Sequence, residues 1–262
     1  MTISKKGLVI ITGASSGIGK ELALLFARHN YSLLLVARDE QGLASVKKQA
    51  EELGAIMVHI HAVDLTKLTS AKQIMNKIEQ IALPVEVLVN NAGFGSYGKF
   101  AEQEIDKQLA MIDLNIRALT ELTGIVLPKM INQGFGSILQ VASLAGFQPG
   151  PLMAVYYATK SYVLSFGEAL YQETKNTGVT VTTLCPGATI TEFQKNAAMD
   201  KVRLFNGKIM TASEVALAGY QGLISKQRLV IPGWKNKFLV FILRFIPRAI
   251  TLKIVEYAQS RV

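Results

Sequence analysis

Short apolar runs alternate along the chain with longer segments in which apolar residues recur every three or four positions. The runs of β-branched and aliphatic residues predict strands, and the segments between them predict helices. The predicted strands cover residues 8–11, 32–36, 56–62, 85–90, 137–142, 179–184 and 229–231, and the predicted helices cover residues 17–28, 41–53, 71–81, 105–131, 155–176 and 213–224. Because these strands are apolar on both faces and separated by helices, they predict an α/β fold, a doubly wound parallel sheet with helices on both faces.

The 262 residues contain no Ser/Pro-rich stretch, charge block or internal repeat that would separate two domains. We therefore predict a single domain over residues 1–262. Within it we expect a substrate lid at about residues 188–212, in which Gly207 indicates mobility, and a basic amphipathic C-terminal extension at about residues 234–262. Pro247 is expected to kink or divide the helix of this extension.

Ligands of doubly wound sheets bind beyond the carboxyl ends of the strands. The residues that directly follow the predicted strands are polar or small, and we expect them to crowd one edge of the sheet: Thr12-Gly13, Arg38, Asp64, Asn90-Asn91, Ser143 and Pro186-Gly187.

A glycine-rich turn, Thr12-Gly-Ala-Ser-Ser-Gly-Ile-Gly19, joins the first strand to the first helix. Glycines allow a sharp turn and a close backbone approach, and the free N–H groups of the helix are suited to a pyrophosphate. The turn supplies Gly13, Ser15, Ser16, Gly17, Ile18 and Gly19 as candidate cofactor-binding residues. The alternative is a tight connection without a ligand, but the position of the turn favours dinucleotide binding.

The residue at the end of the second strand distinguishes NAD(H) from NADP(H). An acidic side chain there would bind a ribose 2′-OH, whereas an arginine suits a 2′-phosphate. The sequence Val36-Ala-Arg-Asp39 places Arg38 at this point, so we expect NADP(H) rather than NAD(H). In the alternative, Arg38 is a solvated charge and Asp39 selects the cofactor.

Proton chemistry is indicated by Ser143 together with a Tyr-x-x-x-Lys pair, Tyr156 and Lys160. The i, i+4 spacing places both side chains on one side of a helix, where a nearby ammonium is expected to lower the pKa of the phenol from about 10. Ser143 would bind the substrate oxygen while Tyr156 gives or takes the proton. A second copy of the motif, Tyr171 and Lys175, lies about 22 Å further along the helix, and we interpret it as a solvated helix face.

In this order and spacing, the chain resembles a compact, single-domain short-chain dehydrogenase/reductase, a Rossmann-fold family. Its C-terminal part is similar to that of NADP-dependent hydroxysteroid and 3-oxoacyl reductases. The motifs that carry the resemblance span about residues 8 to 191: Thr12–Gly19, Val63-Asp-Leu65, Asn90-Asn-Ala-Gly93, Asn115, Ser143, Tyr156 with Lys160, and Pro186-Gly187 with Thr191.

The resemblance implies a role for each of these residues. Asn115 would hold a water behind Lys160 in a proton relay, Lys160 would also bind the nicotinamide ribose, and Asp64 would contact the adenine. The cofactor floor would be shaped by Asn91, Ala92 and Gly93, and the nicotinamide would be bordered by Pro186, Gly187 and Thr191. The family also implies a homodimer or homotetramer.

Three of these positions have a structural alternative. Asp64 could cap the next helix, Asn115 could be a polar residue inside a helix, and Asn90-Asn91 could be turn chemistry.

A lipophilic carbonyl or alcohol is the expected substrate, because apolar side chains lie near the expected pocket. The alternative is that they are ordinary core residues: Phe94, Tyr97, Phe147, Met153, Met199 and Phe205.

Charge is concentrated at the end of the chain. The net charge is +9, and residues 226–262 hold eight basic residues and one acidic residue. We place Lys237, Arg244, Arg248 and Thr251 on one helical stripe, with Phe238, Ile242, Phe245, Ile246 and Ile250 away from it. The extension could lie on a membrane surface, or it could cover the substrate pocket or a partner subunit. It lacks the aromatic interleaving expected for nucleic-acid binding.

The functional prediction is an NADP(H)-dependent oxidoreductase that transfers a hydride between the nicotinamide and a carbonyl or secondary alcohol. The alternative is an NADP(H)-binding sensor or scaffold that transforms nothing. Three histidines and one cysteine without zinc-ligand spacing predict no metal site. The single Cys185 and an N-terminal apolar run too short for a signal peptide predict a cytoplasmic protein with possible peripheral membrane contact.

Overall fold

The computed structural model describes residues 7–197, 199, 202–205 and 209–261. The strands of this part of the chain are β1 (Leu8–Thr12), β2 (Ser32–Ala37), β3 (Met57–Ala62), β4 (Val85–Asn90), β5 (Gly136–Val141), β6 (Val179–Leu184), β7 (Thr189–Ile190), β8 (Met210–Thr211) and β9 (Leu229–Val230). The α-helices are α1 (Gly17–Arg28), α2 (Glu40–Glu52), α3 (Ser70–Ile81), α4 (Ile105–Ile112), α5 (Leu119–Gln133), α6 (Ala154–Glu173), α7 (Phe193–Asn196), α8 (Ala212–Ile224), α9 (Trp234–Leu243) and α10 (Arg248–Gln259).

Seven strands form one parallel sheet in the order β3-β2-β1-β4-β5-β6-β9. The order reverses between β1 and β4, which creates the crevice where doubly wound sheets bind their ligands. The predicted fold class is confirmed: this is a Rossmann-type sheet with helices on both faces.

Burial follows the position of each strand in the sheet. Every residue of β1, β2 and β4 is buried, whereas the edge strand β3 is only partly covered. One hydrophobic layer includes Leu22 and Phe26 of α1, and the other includes Ile74 of α3 and Leu122 of α5. The two layers hold the sheet rigid, so the carboxyl ends of its strands form a fixed edge.

One long helix was expected over residues 105–131, but the structure divides it. A π-helical segment, Asp113–Ala118, separates α4 from α5. π-Helical turns insert an extra residue into a helix and are frequent at functional sites. Here the segment contains Asn115, whose buried side chain is hydrogen-bonded to the backbone of Phe94 and to Thr159 of α6.

The C-terminal extension consists of two helices. Pro247 is the residue before α10, so the expected division of the helix is observed. The expected basic stripe is wrong at Thr251, which is 4% exposed, whereas Lys237, Arg244 and Arg248 are exposed. Phe238 and Phe245, which were placed away from the stripe, are exposed as well. Because the break at Pro247 resets the helical phase, positions before and after it do not continue one stripe. No helix among the described residues is both long and apolar enough to cross a bilayer.

The predicted lid includes two short paired strands, β7 and β8, which the apolar pattern did not indicate. Gly207 and the side chain of Phe205 lie outside the described part of the chain.

Candidate active site

The glycine-rich turn has the geometry that a dinucleotide requires. Gly13 and Gly17 have φ angles of +65° and +53°, in the left-handed region that favours glycine. A Cβ atom at Gly19 would collide with the carbonyl oxygen of Gly13 and the amide of Asn91. The missing side chain at Gly19 therefore lets α1 pack closely on the end of β1, which is one of the tasks of glycine in dinucleotide-binding turns.

The first turn of α1 leaves its N–H groups available to an anion. Ser16 is the N-cap residue, its side chain makes no capping hydrogen bond, and the first turn carries no acidic residue. The side chain of Ile18 packs on the core layer that includes α1, so Ile18 presents its backbone to the site. Ser15 lies beside the first turn of α2, since a Cβ atom at Gly42 would lie 3.0 Å from the Cβ atom of Ser15.

Thr12 and Asn91 attach the turn to the end of β4. The Thr12 hydroxyl accepts hydrogen bonds from the N–H groups of Asn91 at 3.0 Å and Ala92 at 3.1 Å. The Asn91 amide in turn donates to the carbonyl oxygens of Thr12 at 2.9 Å and Gly13 at 3.1 Å. Asn91 therefore does more than make a local turn. Thr12 was not among the predicted site residues, although it opens the glycine motif.

Asn90 points its amide into the interior rather than into a turn. Its Nδ2 donates to Thr123 at 2.9 Å and to Gln140 at 3.1 Å, which builds a buried polar network behind the sheet edge. The alternative of simple turn chemistry at Asn90-Asn91 therefore does not describe the observed contacts.

At the end of β2, Arg38 and Asp39 have different surroundings. Arg38 is exposed, whereas Asp39 is the N-cap of α2 and accepts a hydrogen bond from the Gly42 N–H at 3.0 Å. The Asp39 carboxylate is thus engaged in capping its own helix.

Asp64 lies close enough to Arg38 for their charges to interact. Burial raises the pKa of Asp64, but hydrogen bonds from the N–H and hydroxyl of Thr66 and the charges of Arg38 and Lys67 outweigh it and lower the pKa overall. The residue before α3 is Thr69, so Asp64 does not cap that helix.

Tyr156 and Lys160 lie on the first turns of α6. The Lys160 ammonium is buried, lies 5.8 Å from the centroid of the Tyr156 ring and donates a hydrogen bond to the Val141 carbonyl at 2.8 Å. Burial lowers the pKa of Lys160 to about 8, and Cys185 opposes this shift.

The expectation that Lys160 lowers the pKa of Tyr156 is wrong. Burial raises the pKa of Tyr156 above its ordinary value of 10, a hydrogen bond with Ser143 opposes the rise, and Tyr157 adds to it. The physical reason is that Tyr156 loses solvation while the Lys160 ammonium is directed to Val141. Tyr156 is therefore a protonated phenol at neutral pH.

Ser143 connects the loops that follow β5 and β6. Its hydroxyl accepts from the Ala145 N–H at 3.1 Å and lies 3.4 Å from the carbonyl oxygen of Pro186, to which it donates. The Pro186 carbonyl also accepts from the Leu144 N–H at 2.8 Å. These contacts fix the Ser143 side chain at the sheet edge, next to the Tyr156 hydroxyl.

Asn115 joins the π-helical segment to α6. Its amide exchanges two hydrogen bonds with the backbone of Phe94, at 3.1 and 3.0 Å, and donates to Thr159 at 3.0 Å. Thr159 donates to the carbonyl oxygen of Tyr156 at 2.8 Å. A Cβ atom at Gly93 would lie 3.0 Å from Asn115 and 3.5 Å from the Lys160 nitrogen, so Gly93 forms a floor between them.

The loop after β6 closes on the glycine turn. A Cβ atom at Gly17 would lie 3.3 Å from the Thr191 methyl group, and one at Gly187 would lie 2.8 Å from the Asn236 amide. Thr191 therefore lies against the glycine turn and Gly187 against α9, and the places of Pro186, Gly187 and Thr191 beside the nicotinamide stay predictions.

Several apolar side chains surround Tyr156. Tyr97, Met153, Tyr157, Phe193, Met199 and Val255 belong to one cluster with it. Phe147 instead packs on a separate cluster with Val163 and Leu164. Gly95 was not predicted as a site residue, yet a Cβ atom there would lie 3.3 Å from the Tyr156 ring.

The second Tyr-x-x-x-Lys pair lies away from this site. Tyr171 is half-buried against a core layer and only Lys175 is exposed, so the pair is not the fully solvated face that was expected.

The residues at the strand ends thus define a nucleotide crevice beside the partly buried Ser143 and Tyr156 and the buried Lys160, the site of a dehydrogenase. A family model described as short chain dehydrogenase matches residues 7–201. The chain belongs to this family. It is an oxidoreductase that acts on alcohol or carbonyl groups with a nicotinamide cofactor.

Named relatives share this organisation. A dehydrogenase/reductase SDR family protein 7-like of Dictyostelium discoideum is 33% identical over 271 residues, 98% of this chain and 84% of the relative. A ketoacyl reductase of Nostoc sp. is 32% identical over 187 residues, 71% of this chain and 65% of the relative. A short-chain dehydrogenase from Sphingobium yanoikuyae, solved in complex with NADPH, superposes with a TM-score of 0.83 at 30% identity and covers 97% of this chain and 98% of its own.

Proposed function

We propose that the protein is an NADPH-dependent carbonyl reductase, which can also run as the reverse alcohol dehydrogenase, with Tyr156 as general acid/base. The observation that carries the proposal is the position of the partly buried Tyr156, hydrogen-bonded to Ser143 and with the Lys160 ammonium 5.8 Å from its ring centroid. A protonated phenol is the form that can donate a proton to a carbonyl oxygen as that oxygen gains negative charge.

Each catalytic residue then has one task. Ser143 donates a hydrogen bond to the substrate oxygen, and Tyr156 delivers its proton to the same oxygen. Lys160, whose ammonium lies 5.8 Å from the centroid of the Tyr156 ring, would hold the nicotinamide ribose beside it. Asn115 holds the α6 side of the site in place through Thr159, and we assign it the water of the proton relay behind Lys160.

The chain's own residues fit a dinucleotide. The turn bends through positive φ angles at Gly13 and Gly17, and the first turn of α1 has free N–H groups. When bound, the nicotinamide cofactor supplies the hydride. The residues that would hold it are Gly13, Ser15, Ser16, Gly17, Ile18, Gly19, Arg38, Asp64, Asn91, Ala92, Gly93, Tyr156, Lys160, Pro186, Gly187 and Thr191.

We assign the cofactor preference to NADP(H). What supports this is that Arg38 is exposed at the end of β2, while Asp39 is engaged as a helix cap. A 2′-phosphate would gain charge-assisted hydrogen bonds from Arg38.

The substrate we propose is a lipophilic carbonyl compound or secondary alcohol. Support comes from the aromatic and methionine side chains that pack around Tyr156. The protein would act as a homodimer or homotetramer in the cytoplasm, with its C-terminal extension in peripheral contact with a membrane.

The deciding experiment is Tyr156→Phe, assayed by NADPH absorbance with a panel of ketones. Turnover should be lost while NADPH binding, measured by cofactor fluorescence, stays unchanged. An NADPH-binding protein whose wild type turns over no member of the panel would instead be a sensor or scaffold, and an active Tyr156→Phe variant would remove Tyr156 from the mechanism.

A further inference from the structure

Four aromatic residues of the C-terminal extension form one stripe on the surface. Trp234, Phe238, Phe241 and Phe245 are spaced by four, three and four positions, so they share one face of α9 and the turn that follows it. Trp234 is 73% and Phe245 72% exposed, and the other two are more than half exposed. The rings of Phe241 and Phe245 contact each other at a centroid distance of 5.3 Å. We call these four residues the aromatic stripe.

The opposite face of α9 attaches the helix to the protein. Val240 is buried, and Asn236 lies against Gly187 and donates to the Pro232 carbonyl at 2.7 Å. At 100° per residue, these two positions lie roughly opposite the aromatic stripe. The helix is thus held on one side and presents large aromatic groups on the other.

Cations flank the aromatic stripe on both sides. On the helical projection, Lys235 lies on one side of it, and Lys237 and Arg244 lie on the other. Within the described residues, no carboxylate forms a salt bridge with any of these three. An aromatic stripe between cations is the arrangement of helices that lie in the surface of an anionic bilayer.

We propose that α9 docks the protein on membranes that contain anionic phospholipid, with the aromatic stripe at the acyl boundary and the three cations on lipid phosphates. This names the segment and the lipid class of the peripheral contact proposed above, and it holds whether or not the chain turns over ketones. At about 1.5 Å per residue, the ten residues of α9 reach about half of a bilayer core, so the helix lies in the surface and does not cross it.

Charge disfavours a second copy of the chain as the occupant. Two copies that paired through the aromatic stripe would bring two sets of unpaired cations together, at a Coulombic cost. Anionic lipid headgroups satisfy the same cations. The contact of Asn236 with Gly187 also places the docking helix beside the candidate active site, which gives a lipophilic substrate a short route from the membrane.

The chain contains a built-in reporter, because Trp234 is its single tryptophan. The full-length protein should float with vesicles of phosphatidylcholine and phosphatidylserine, and its tryptophan emission should shift to shorter wavelength. Binding to vesicles of phosphatidylcholine alone should be weaker by about tenfold or more. Added salt should weaken binding to the anionic vesicles.

Two variants separate the apolar and the electrostatic contributions. Phe241→Ser with Phe245→Ser removes half of the aromatic stripe, and Lys237→Glu with Arg244→Glu reverses its flanking charge. Each should weaken binding to anionic vesicles about tenfold or more. The matched controls are Leu68→Ser with Phe100→Ser, which changes exposed apolar residues elsewhere, and Lys72→Glu with Lys107→Glu, which reverses exposed charges elsewhere. Both should bind as the wild type does.

The proposal is overturned if the wild type stays unbound with anionic vesicles, or if both α9 variants bind them like the controls. A second copy of the chain covers the aromatic stripe if two results occur together: the emission shift depends on protein concentration without vesicles, and Phe241→Ser with Phe245→Ser lowers the oligomeric mass. That outcome also overturns the proposal. Turnover of a water-soluble ketone by the same variants distinguishes membrane docking from the proposed reductase activity. Normal turnover with lost flotation supports docking by α9. Flotation without turnover contradicts only the proposed reductase activity.

Discussion

The side-chain amide of Gln259, in the last turn of α10, donates a hydrogen bond to the hydroxyl of Tyr157 at 2.6 Å. Gln259 is 1% exposed, and its backbone carbonyl accepts a second hydrogen bond from the Tyr97 hydroxyl at 2.7 Å. Tyr157 is the neighbour of Tyr156 on α6. The last turn of α10 is therefore hydrogen-bonded to α6 beside Tyr156 and to the loop that carries Tyr97.

The Gln259–Tyr157 contact should position the substrate site without taking part in the chemistry. Gln259→Leu and Tyr157→Phe each leave one buried polar partner unsatisfied, so each should raise KM for the ketone several-fold with a smaller change in kcat. In the double variant the two effects should not add, with a coupling of about 0.5–1.5 kcal/mol. Steady-state kinetics of the four proteins measure this. Gln80→Leu, at an exposed position of α3, is the control, and strictly additive effects would show that the contact is unimportant.

Gly95 should be essential to the position of Tyr156. An alanine Cβ there would lie 2.7 Å from Phe193 and 2.9 Å from Met153, as well as near the Tyr156 ring. Because a misplacement of about 1 Å can cost about a hundredfold in rate, Gly95→Ala should lower kcat by roughly tenfold to a hundredfold. NADPH affinity should change little.

The matched control for Gly95 is Gly124→Ala in α5. Nothing lies within 4 Å of a Cβ atom at Gly124, so this variant should keep its activity and gain up to about 1 kcal/mol in free energy of unfolding. A Gly95→Ala enzyme with normal kcat would mean that the Tyr156 ring can move without loss of function.

Arg38→Ala should weaken NADPH binding selectively. A hydrogen bond to a charged group contributes about 1.5–3 kcal/mol, so the affinity should fall by about tenfold to a hundredfold, while NADH affinity stays the same. Asp39→Asn keeps the helix cap and removes the carboxylate. If Asp39 rather than Arg38 selects the cofactor, this second variant changes the NADPH/NADH ratio and Arg38→Ala does not. Fluorescence titration of both cofactors distinguishes the two.

Glu86 of β4, which accepts a hydrogen bond from Gly7, should make the free energy of unfolding depend on pH. Burial raises the pKa of Glu86 from 4.5 to about 7, opposed by a hydrogen bond from the Gly7 N–H. Between these values the folded state holds a proton that the unfolded state has released, so the free energy of unfolding falls as pH rises.

Replacing the carboxyl group should remove this dependence. From about pH 4.5 to 7, wild type should lose on the order of 1–2 kcal/mol relative to Glu86→Gln, as measured by urea unfolding. Glu79→Gln, at an exposed carboxylate, should follow the wild-type curve. Parallel curves for wild type and Glu86→Gln would show that Glu86 ionises normally.

The sequence alone determined the sheet and the residues at its edge. Strands such as β1 and β4 are apolar on both faces, and this pattern is possible only where helices cover both sides of a parallel sheet. Parallel strands all end at one edge, so the residues after them had to meet there. Gly13, Ser143 and Pro186 therefore lie around one crevice, as expected.

Only the tertiary structure decided the contacts between distant segments. A repeating apolar pattern shows which face of a helix is buried, but not what covers it or where its phase is reset. The π-helical turn at Asn115, the crowding of Gly95 and the bond from Gln259 to Tyr157 each depend on groups far away in sequence. In the same way, Pro247 resets the helical phase, so packing alone determined that Thr251 is buried and that Phe245 faces outward.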